Sequence, residues 1–526
     1  MQKSSENPRV LVITPEVSYV PDGMDNSSPC RKARAGGLGD VSAALISALY
    51  EQGVDVHLVL PDYRTIFNKH MPESIRNKTR LIRQKLPLER VHLAEDRAFF
   101  YLDRVYSGSM EENLNISLAF QREVINHIIP RVQPDLIHCN DWMTGLIPAA
   151  AREMKIPCLF SIHNIHTVHA PLARIEDTGI DGASFWHNLY FKQYPGSYEA
   201  ARQSIPVDFL VSGVFAAHFV NTVSPGFLDE IVRGDHDFIS DDLRKELFNK
   251  RETSCAVGIQ NAPDRSFDPS TDKGLFARYS SRNHEFGKAA NKGQLQKILG
   301  LKEDSGAPLF FWPSSLDPVQ KGCRLLAEIL YHAVSKYWEK NLEFVFVADG
   351  PFQKHFKDIV RFHGFQERVA VCNFNEQLSR MAYGASDFVL IPSRFEPCGL
   401  PQMIGSIYGA LPVARDTGGL HDTVSHLDMK KNRGNGFLFN DFDANGLFWA
   451  IDQAMGFYAL PRKVRREQIR RIMDQSRRRF SYDNTARQYI SLYERMLKRP
   501  LVKPESAKNA EVSIIPVNSK MGRRTA

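Results

Sequence analysis

The apolar residues of this chain are grouped in short runs, and each run is followed by a turn and then by a stretch with helical periodicity. The clearest runs lie at residues 10–16, 134–139, 156–162, 218–223, 308–312, 344–348, 388–392 and 410–414. A repeated order of strand, loop and helix is typical of parallel sheets covered by helices on both faces. The pattern therefore predicts an α/β protein built from doubly wound, Rossmann-like units.

The segment Ile391–Val424 holds the densest chemistry. The apolar run DFVLIP predicts a buried strand, Arg394–Leu400 is a glycine- and proline-rich loop, and a helix begins near Pro401. A second apolar run, ALPVA, is followed by Thr417-Gly418-Gly419, which opens another helix. The loops of such units lie together at the carboxyl edge of a parallel sheet, where α/β proteins bind ligands.

Both loops of this segment end at a predicted helix N-terminus, where free N–H groups and the helix dipole favour anions. Cys398-Gly399-Leu400 and Thr417-Gly418-Gly419 are therefore predicted phosphate sites. Glu396 lies beside them, and a carboxylate beside an anion site suggests that it binds a neutral or cationic group, such as sugar hydroxyls. A third candidate loop, from Arg34 through Gly36 and Gly37, stands between the first strand and the first helix.

The length of 526 residues favours two domains, and 43% hydrophobic and 24% charged residues are ordinary for a soluble globular chain. The net charge of +7 is concentrated partly in Arg462–Arg479. We interpret this run as a solvated helix face, with a role in holding a polyanion or another subunit as the alternative. No partner among nucleic acids or membranes is expected.

The seven cysteines are scattered without CxxC spacing, which is typical of reduced thiols in a cytosolic protein. The polar start MQKSSENPR lacks the apolar core of a secretion signal, and no apolar run approaches the length of a membrane span. We therefore expect a cytoplasmic protein.

Several motifs together resemble one enzyme family. RFEPCGL, followed by R-x-TGGL-x-DTV, resembles the donor-sugar loop of bacterial glycogen synthases and plant starch synthases, which are retaining glucosyltransferases of the GT-B fold. Further segments of the chain are similar to the same family at RAGGLGD, HCNDWMT, SIHN, TVSP, IQNAPD, VQKG and FSYDNTARQYISLY.

The resemblance implies two Rossmann-like doubly wound domains that face each other across a cleft. On this basis, residues 1–272 form an N-terminal domain on the acceptor side, and residues 273–479 form a C-terminal domain that binds the nucleotide sugar. Residues 480–497 form a helix that braces the N-terminal domain. Residues 498–526, rich in proline, serine and lysine, are predicted to be a disordered tail.

The resemblance also implies roles for individual residues. Glu396, Lys321 and His163 are the catalytic candidates: Lys321 neutralises the departing diphosphate, while Glu396 and His163 hold the glucose. The acceptor-binding candidates are Asp141 and Trp142. The donor-binding candidates are Arg34, Gly36, Gly37, Asn164, Cys398, Gly399, Leu400, Thr417, Gly418 and Gly419.

The chain departs from the family at two cationic positions. Arg34 replaces a lysine, and guanidinium differs from ammonium in shape and hydration. Ser315 stands where the family has an arginine, with one extra residue before Gln320. Loss of a cation from a leaving-group site costs about 10²–10³ in rate.

These observations lead to a hypothesis of glucose transfer from ADP-glucose to an α-1,4-glucan, with no cofactor or metal demanded. Ile404 stands eight positions after Glu396, so a second carboxylate is missing there, and attack through an ion-pair-like transition state is expected. Two alternatives remain open. One is a GT-B enzyme with another nucleotide sugar or a small acceptor, and the other is a catalytically weakened, glucan-binding regulatory protein.

Overall fold

A computed structural model describes residues 7–21, 24, 32–33, 37–69, 90–203 and 205–502. Arg34 and Gly36, two of the predicted donor-binding residues, lie outside the described residues, as does the predicted tail from residue 503 onwards. Within the described ranges, no helix combines the length and the apolar character that crossing a bilayer requires.

The N-terminal half contains a seven-stranded sheet whose neighbouring strands all pair in parallel. Its strand order is β3-β2-β1-β4-β5-β8-β9, with a separate two-stranded ribbon formed by β6 and β7. The strands are β1 (Arg9–Ile13), β2 (Asp55–Pro61), β3 (Val91–Ala94), β4 (Leu136–Asn140), β5 (Cys158–Ile162), β6 (His169–Ala170), β7 (Val207–Asp208), β8 (Phe219–Thr222) and β9 (Ala256–Gly258).

Helices connect these strands and cover both faces of the sheet. They are α1 (Gly37–Glu51), α2 (Arg64–Lys69), α3 (Arg97–Phe100), α4 (Met110–Glu123), α5 (Ile129–Val132), α6 (Ile147–Glu153), α7 (Leu172–Asp177), α8 (Tyr198–Gln203), α9 (Phe209–Ala216), α10 (Pro225–Arg233) and α11 (Asp241–Glu252). A π-helical turn, Val124–Ile128, joins α4 to α5, and short 3₁₀ turns occupy Trp142–Thr144, Gly182–Ser184 and Trp186–Asn188.

The C-terminal half contains a six-stranded parallel sheet in the order β12-β11-β10-β13-β14-β15. Its strands are β10 (Leu309–Trp312), β11 (Glu343–Val347), β12 (Val369–Cys372), β13 (Phe388–Ile391), β14 (Leu411–Arg415) and β15 (Phe437–Phe439). Its helices are α12 (His284–Leu299), α13 (Cys323–Lys336), α14 (Gln353–His363), α15 (Glu376–Ala385), α16 (Pro401–Tyr408), α17 (Gly418–Thr423), α18 (Ala444–Tyr458), α19 (Arg462–Arg479) and α20 (Tyr482–Leu497).

The strands are apolar because helices bury both faces of each sheet. In β1, β4 and β5, the residues from Val10 to Ile13 and all of Leu136–Asn140 and Cys158–Ile162 are buried. The apolar residues of each half form their own clusters, so each sheet has a separate core. The prediction of two Rossmann-like domains is confirmed.

The last helix, α20, leaves the C-terminal half and packs on the N-terminal sheet. Tyr482, Tyr489 and Tyr493 share a buried cluster with residues of β1, β2 and α1. This return ties the two halves together at a second place, away from the covalent connection between β9 and α12.

Direct contacts also join the loops and helices that follow the carboxyl ends of strands in the two sheets. The Ser224 hydroxyl donates to the carbonyl oxygen of Pro397 at 2.6 Å, and the Gly226 amide donates to the carboxylate of Asp422 at 2.7 Å. A Cβ atom on Gly226 would lie 2.6 Å from the carbonyl oxygen of Gly418, so the two halves approach each other at backbone distance there.

Candidate active site

A cavity of about 620 Å³ lies between the two halves, and the carboxyl edges of both sheets form its walls. Gly37 and His163 line it from the N-terminal half, and Lys321 and Glu396 line it from the C-terminal half. Two groups of predicted site residues that are remote in sequence therefore face one shared space. This is the location where doubly wound folds bind their ligands.

Asp141 organises the N-terminal wall. It follows β4 directly, and its carboxylate accepts hydrogen bonds from the backbone amides of His163 at 2.7 Å and Asn164 at 3.3 Å. Burial raises the pKa of Asp141 to about 7, against the opposing effect of these two amides. One oxygen of the predicted acceptor-binding carboxylate thus holds the loop after β5, and buried Trp142 beside it also lines the cavity.

The backbone of Asp141 is strained, with φ 57° and ψ 179°. This region is normally reserved for glycine and costs about 1–3 kcal/mol for other residues. The two amide hydrogen bonds offset part of that cost. Strain of this kind is common where a protein must fix a ligand-binding loop.

His163 is presented to the cavity as a neutral ring. Burial lowers its pKa to about 3. Asn140 donates through Nδ2 to the carbonyl of Ile13 at 3.0 Å, so its Oδ1 accepts from Nε2 of His163 at 2.9 Å. The ring proton is therefore on Nε2, and Nδ1, which has no partner among the described residues, remains as an acceptor for a hydroxyl group.

Lys321 and Glu396 form the centre of the C-terminal wall. Nζ of Lys321 lies 2.7 Å from Oε2 of Glu396, and Ser393 donates to the same oxygen at 3.0 Å. Both side chains are mostly buried, with 16% of Lys321 and 10% of Glu396 exposed. Oε1 of Glu396 makes no hydrogen bond within the described part of the chain, so it is available to a ligand.

The loop after Glu396 also lines the cavity through Cys398, Gly399 and Leu400. Gly399 has φ +67°, a left-handed conformation that favours glycine. Burial raises the pKa of the Cys398 thiol to about 12, so this cysteine is a neutral, packed side chain rather than a nucleophile.

Thr417, Gly418 and Gly419 are placed differently from the other donor-binding candidates, because they do not line this cavity. The amide of Gly418 donates at 2.7 Å and the hydroxyl of Thr417 at 2.9 Å to Oε1 of Glu230, a residue of α10. The amide of Gly419 donates to the carbonyl oxygen of Glu396 at 2.9 Å. Their role in donor binding stays a prediction, and it would require these amides to exchange partners.

Close packing of the backbone also explains why glycine occupies positions 418 and 419. A Cβ atom on Gly418 would lie 2.2 Å from the carbonyl oxygen of Glu396, and one on Gly419 would lie 2.1 Å from that of Cys398. Glycine is required where two loops approach at this distance. The glycine pair that suggests a phosphate site in the sequence serves close contact between the loops after β13 and β14.

Several residues of the cavity wall lie outside the motifs that predict site residues. The side chain of Asn261 is 2% exposed, and its Oδ1 has no hydrogen-bond partner among the described residues. Glu16 lies in the segment that follows β1, where Tyr106 donates to it at 3.2 Å. A buried polar atom without a partner in a cavity wall is a candidate ligand contact.

Lys321 is the one lysine or arginine of the cavity wall among the described residues. Ser315, which replaces the family arginine, is exposed and does not line the cavity, and neither does Arg324 nearby. Groups of three or more histidine, cysteine or carboxylate side chains arranged to hold a metal ion are absent from the described ranges.

Two family models match this chain. Residues 9–245 match the model described as starch synthase catalytic domain, and residues 307–456 match the model described as glycosyl transferases group 1. The two matches fall on the two sheet-containing halves.

Full-length relatives show the same similarity. The glycogen synthase of Clostridium novyi (strain NT) is 30% identical over 89% of this chain and 97% of its own length. Glycogen synthase 2 of Geobacter sulfurreducens is 33% identical over 88% of this chain and 96% of its own length. Among solved structures, the catalytic domain of starch synthase IV from Arabidopsis thaliana, bound to ADP and acarbose, matches with a TM-score of 0.74 and 25% identity, covering 94% of this chain and 100% of that one.

Proposed function

The chain belongs to the glycogen and starch synthase family of glucosyltransferases, and we propose that it transfers glucose from ADP-glucose to the non-reducing end of an α-1,4-glucan. The observation that supports this proposal most directly is the buried Lys321–Glu396 pair, which faces His163 across the shared cavity. A cation, a carboxylate and a neutral acceptor are the groups that an activated sugar requires.

In this proposal, Lys321 stabilises the diphosphate as the bond to the glucose breaks. Its ammonium has three N–H donors and gives one to Glu396, so the others can reach a phosphate oxygen. The charge that develops on the leaving group is then balanced by a pre-placed cation, which is the main electrostatic contribution to such transfers.

Glu396 and His163 orient the glucose. Oε1 of Glu396 and Nδ1 of His163 are acceptors without partners in the described chain, and sugar hydroxyls are donors that match them. Lys321 and Ser393 both donate to Oε2 of Glu396, which lowers the nucleophilicity of the whole carboxylate and makes it a poor candidate for covalent attack. The acceptor hydroxyl attacks the anomeric carbon on the face from which the diphosphate departs, and its proton passes to the departing phosphate oxygen, so the configuration is retained.

The acceptor would enter from the side of Asp141 and Trp142. An indole ring gives an apolar platform for a sugar face, and a carboxylate accepts from sugar hydroxyls. Asp141 uses one oxygen for the loop at His163, which leaves the other oxygen for the acceptor. Approach of the two domains then excludes water from the reacting atoms.

Measurement of transfer from radiolabelled ADP-glucose and UDP-glucose, each with and without glycogen, tests this proposal. We expect incorporation into glycogen from ADP-glucose. Transfer from UDP-glucose alone would contradict the proposed donor. Transfer to a small sugar alone would contradict the proposed acceptor. Glycogen binding without transfer from either donor would favour the regulatory alternative. Ser315 supports that alternative, because it stands where the family has an arginine and is exposed to solvent.

A further inference from the structure

A second polar cavity, of about 290 Å³, lies in the C-terminal half between α12, α19 and the end of α18. Its wall shares no residue with the cavity of the active site. We refer to it as the basic cavity, because three arginines of α19 and two lysines of α12 line it. These residues are Lys288, Lys292, Arg462, Arg465 and Arg466.

The basic cavity contains fewer carboxylates than cations. Asp387 pairs with Lys292 at 2.6 Å, and Glu285 pairs with Arg462 at 2.7 Å. Glu285 also lies 3.7 Å from Arg466. Two carboxylates thus face three arginines and two lysines, so positive charge exceeds negative charge among the described residues of the wall.

Lys288 is the most unusual of the five. It is 6% exposed, and its ammonium donates to the carbonyl oxygen of Tyr408 at 3.1 Å, with that of Gly384 at 3.5 Å. No carboxylate of the described chain forms an ion pair with it. Burial lowers the pKa of Lys288 to about 7, and the nearby carboxylate of Asp387 offsets this effect only in part.

Two further groups in the wall have unused hydrogen-bonding capacity. Nε of Arg465 is buried without a partner, while its guanidinium lies over the ring of Tyr458 at 4.4 Å. Nε2 of His284 is also buried without a partner. Because Nδ1 of His284 donates to the carbonyl of Ser281 at 2.9 Å, Nε2 carries the lone pair and can accept a hydrogen bond from a ligand donor such as a hydroxyl.

We infer that the basic cavity binds a small hydroxylated phosphate ester, of the class of sugar monophosphates. Lys288 and Arg465 would bind the phosphate, which neutralises the excess positive charge, and Nε2 of His284 would accept from a hydroxyl of the sugar. Inorganic phosphate at neutral pH carries one P–O–H group, but it lacks the several hydroxyls of a sugar that could reach this nitrogen while the phosphate stays on the cations. Since a liquid water occupies about 30 Å³, the cavity has room for about ten waters, enough for a ligand of this class.

Titration calorimetry with glucose 1-phosphate tests the inference independently of glucose transfer. The full chain is first saturated with ADP, so that the active-site cavity is occupied. We expect glucose 1-phosphate to bind with one site per chain, inorganic phosphate to bind more weakly and glucose not to bind. Absence of binding by glucose 1-phosphate would overturn the inference, and so would equal binding by glucose.

Variants assign the binding to this cavity. Arg465→Gln should weaken the binding of glucose 1-phosphate about tenfold, because a charge-assisted contact to the phosphate is lost. Arg470→Gln is the matched control, since Arg470 is exposed on the same helix and does not line the cavity. Lys288→Met should weaken binding at least as much, and its unfolding temperature is measured alongside. Equal affinities of the Arg465 and Arg470 variants would place the ligand elsewhere and reject the site.

Discussion

Lys321 and Glu396 carry opposite charges 2.7 Å apart in a mostly buried position, so each sets the environment of the other. Removal of one leaves the other as an unpaired buried charge, which costs more than the loss of a single hydrogen bond. The ion pair therefore keeps a cation and a carboxylate side by side in the cavity wall.

The pair should behave as one unit in kinetics. Lys321→Ala and Glu396→Gln should each lower the rate of glucose transfer by about 10²–10³-fold, since in the proposed mechanism each side chain contacts the reacting donor. The double variant should be little worse than the poorer single variant. Initial rates with ADP-glucose and glycogen measure this, and Ser393→Ala, which leaves the pair intact, should cost less than about tenfold. Additive losses in the double variant would contradict coupling.

Asp141 has a strained backbone, and its carboxylate positions the loop at His163. Two substitutions separate these two properties. Asp141→Ala and Asp141→Gly both lose the carboxylate that holds the amides of His163 and Asn164, so both should lose activity to a similar extent. Glycine adopts the backbone conformation freely whereas alanine does not, so the glycine variant should be more stable by about 1–3 kcal/mol. Denaturant unfolding measures the difference. Equal stabilities would show that the backbone relaxes.

At the scale of elements, α20 is attached to the N-terminal sheet by a chain of polar contacts as well as by apolar packing. Tyr493 donates to Nδ1 of His138 at 2.7 Å, and Nε2 of His138 donates to Ser161 at 2.6 Å. Ser161 donates to Asn221, whose Nδ2 donates to the hydroxyl of Tyr489 at 2.9 Å. The network begins and ends on α20 and crosses β4, β5 and β8.

Two tyrosines on α20 offer a matched comparison. Tyr493→Phe leaves Nδ1 of His138 buried without a donor, so we expect a loss of about 1–3 kcal/mol in the free energy of unfolding. The hydroxyl of Tyr482 is buried without a partner in the described structure, so Tyr482→Phe should be neutral or stabilising. Unfolding of both variants in urea checks this. A loss in Tyr482→Phe equal to that in Tyr493→Phe would contradict the network.

At the scale of the whole molecule, Glu230 joins the two halves. One oxygen accepts from Thr417 and Gly418, and the other lies 2.9 Å from Nε2 of His236. Burial acts to raise the pKa of Glu230, but the contacts from His236, Gly418 and Thr417 together hold it below its usual value. The ionised carboxylate is thus stabilised in the folded, joined state.

The sign of this shift predicts a pH dependence. A lowered pKa in the folded state contributes stability above the unfolded value near 4.5, and that contribution is lost as the pH falls through the folded pKa. Glu230→Gln should therefore lower the unfolding temperature at pH 7 and differ less from the wild type below about pH 4. The control is Asp229→Asn, because Asp229 is 53% exposed and pairs with Arg251 on the surface. A difference that grows towards acid pH would contradict the assignment.

Local sequence patterns predict much of the secondary structure of this protein. Apolar runs between glycine- and proline-rich turns predict the strands, because a strand buried on both faces must be apolar throughout. The same patterns place the loops after β4 and β5 at the carboxyl edge of the N-terminal sheet and those after β13 and β14 at the carboxyl edge of the C-terminal sheet. Most of the candidate residues in these loops, including Asp141, His163 and Glu396, line the cavity. Arg34 and Gly36 lie outside the described residues, and the roles of all candidates stay predictions.

The amino-acid sequence by itself thus determined the two Rossmann-like halves and the family, because periodicity and motif spacing are properties of neighbouring residues. The tertiary structure decided which side chains contact each other across long distances in the sequence. Lys321 meets Glu396 across 75 positions, and Glu230 meets Gly418 across 188. Such pairs depend on how separate elements pack, and no local pattern records them. For the same reason, the glycines at 418 and 419 suggest a phosphate site in the sequence, whereas the folded chain uses them to bring two loops within backbone contact.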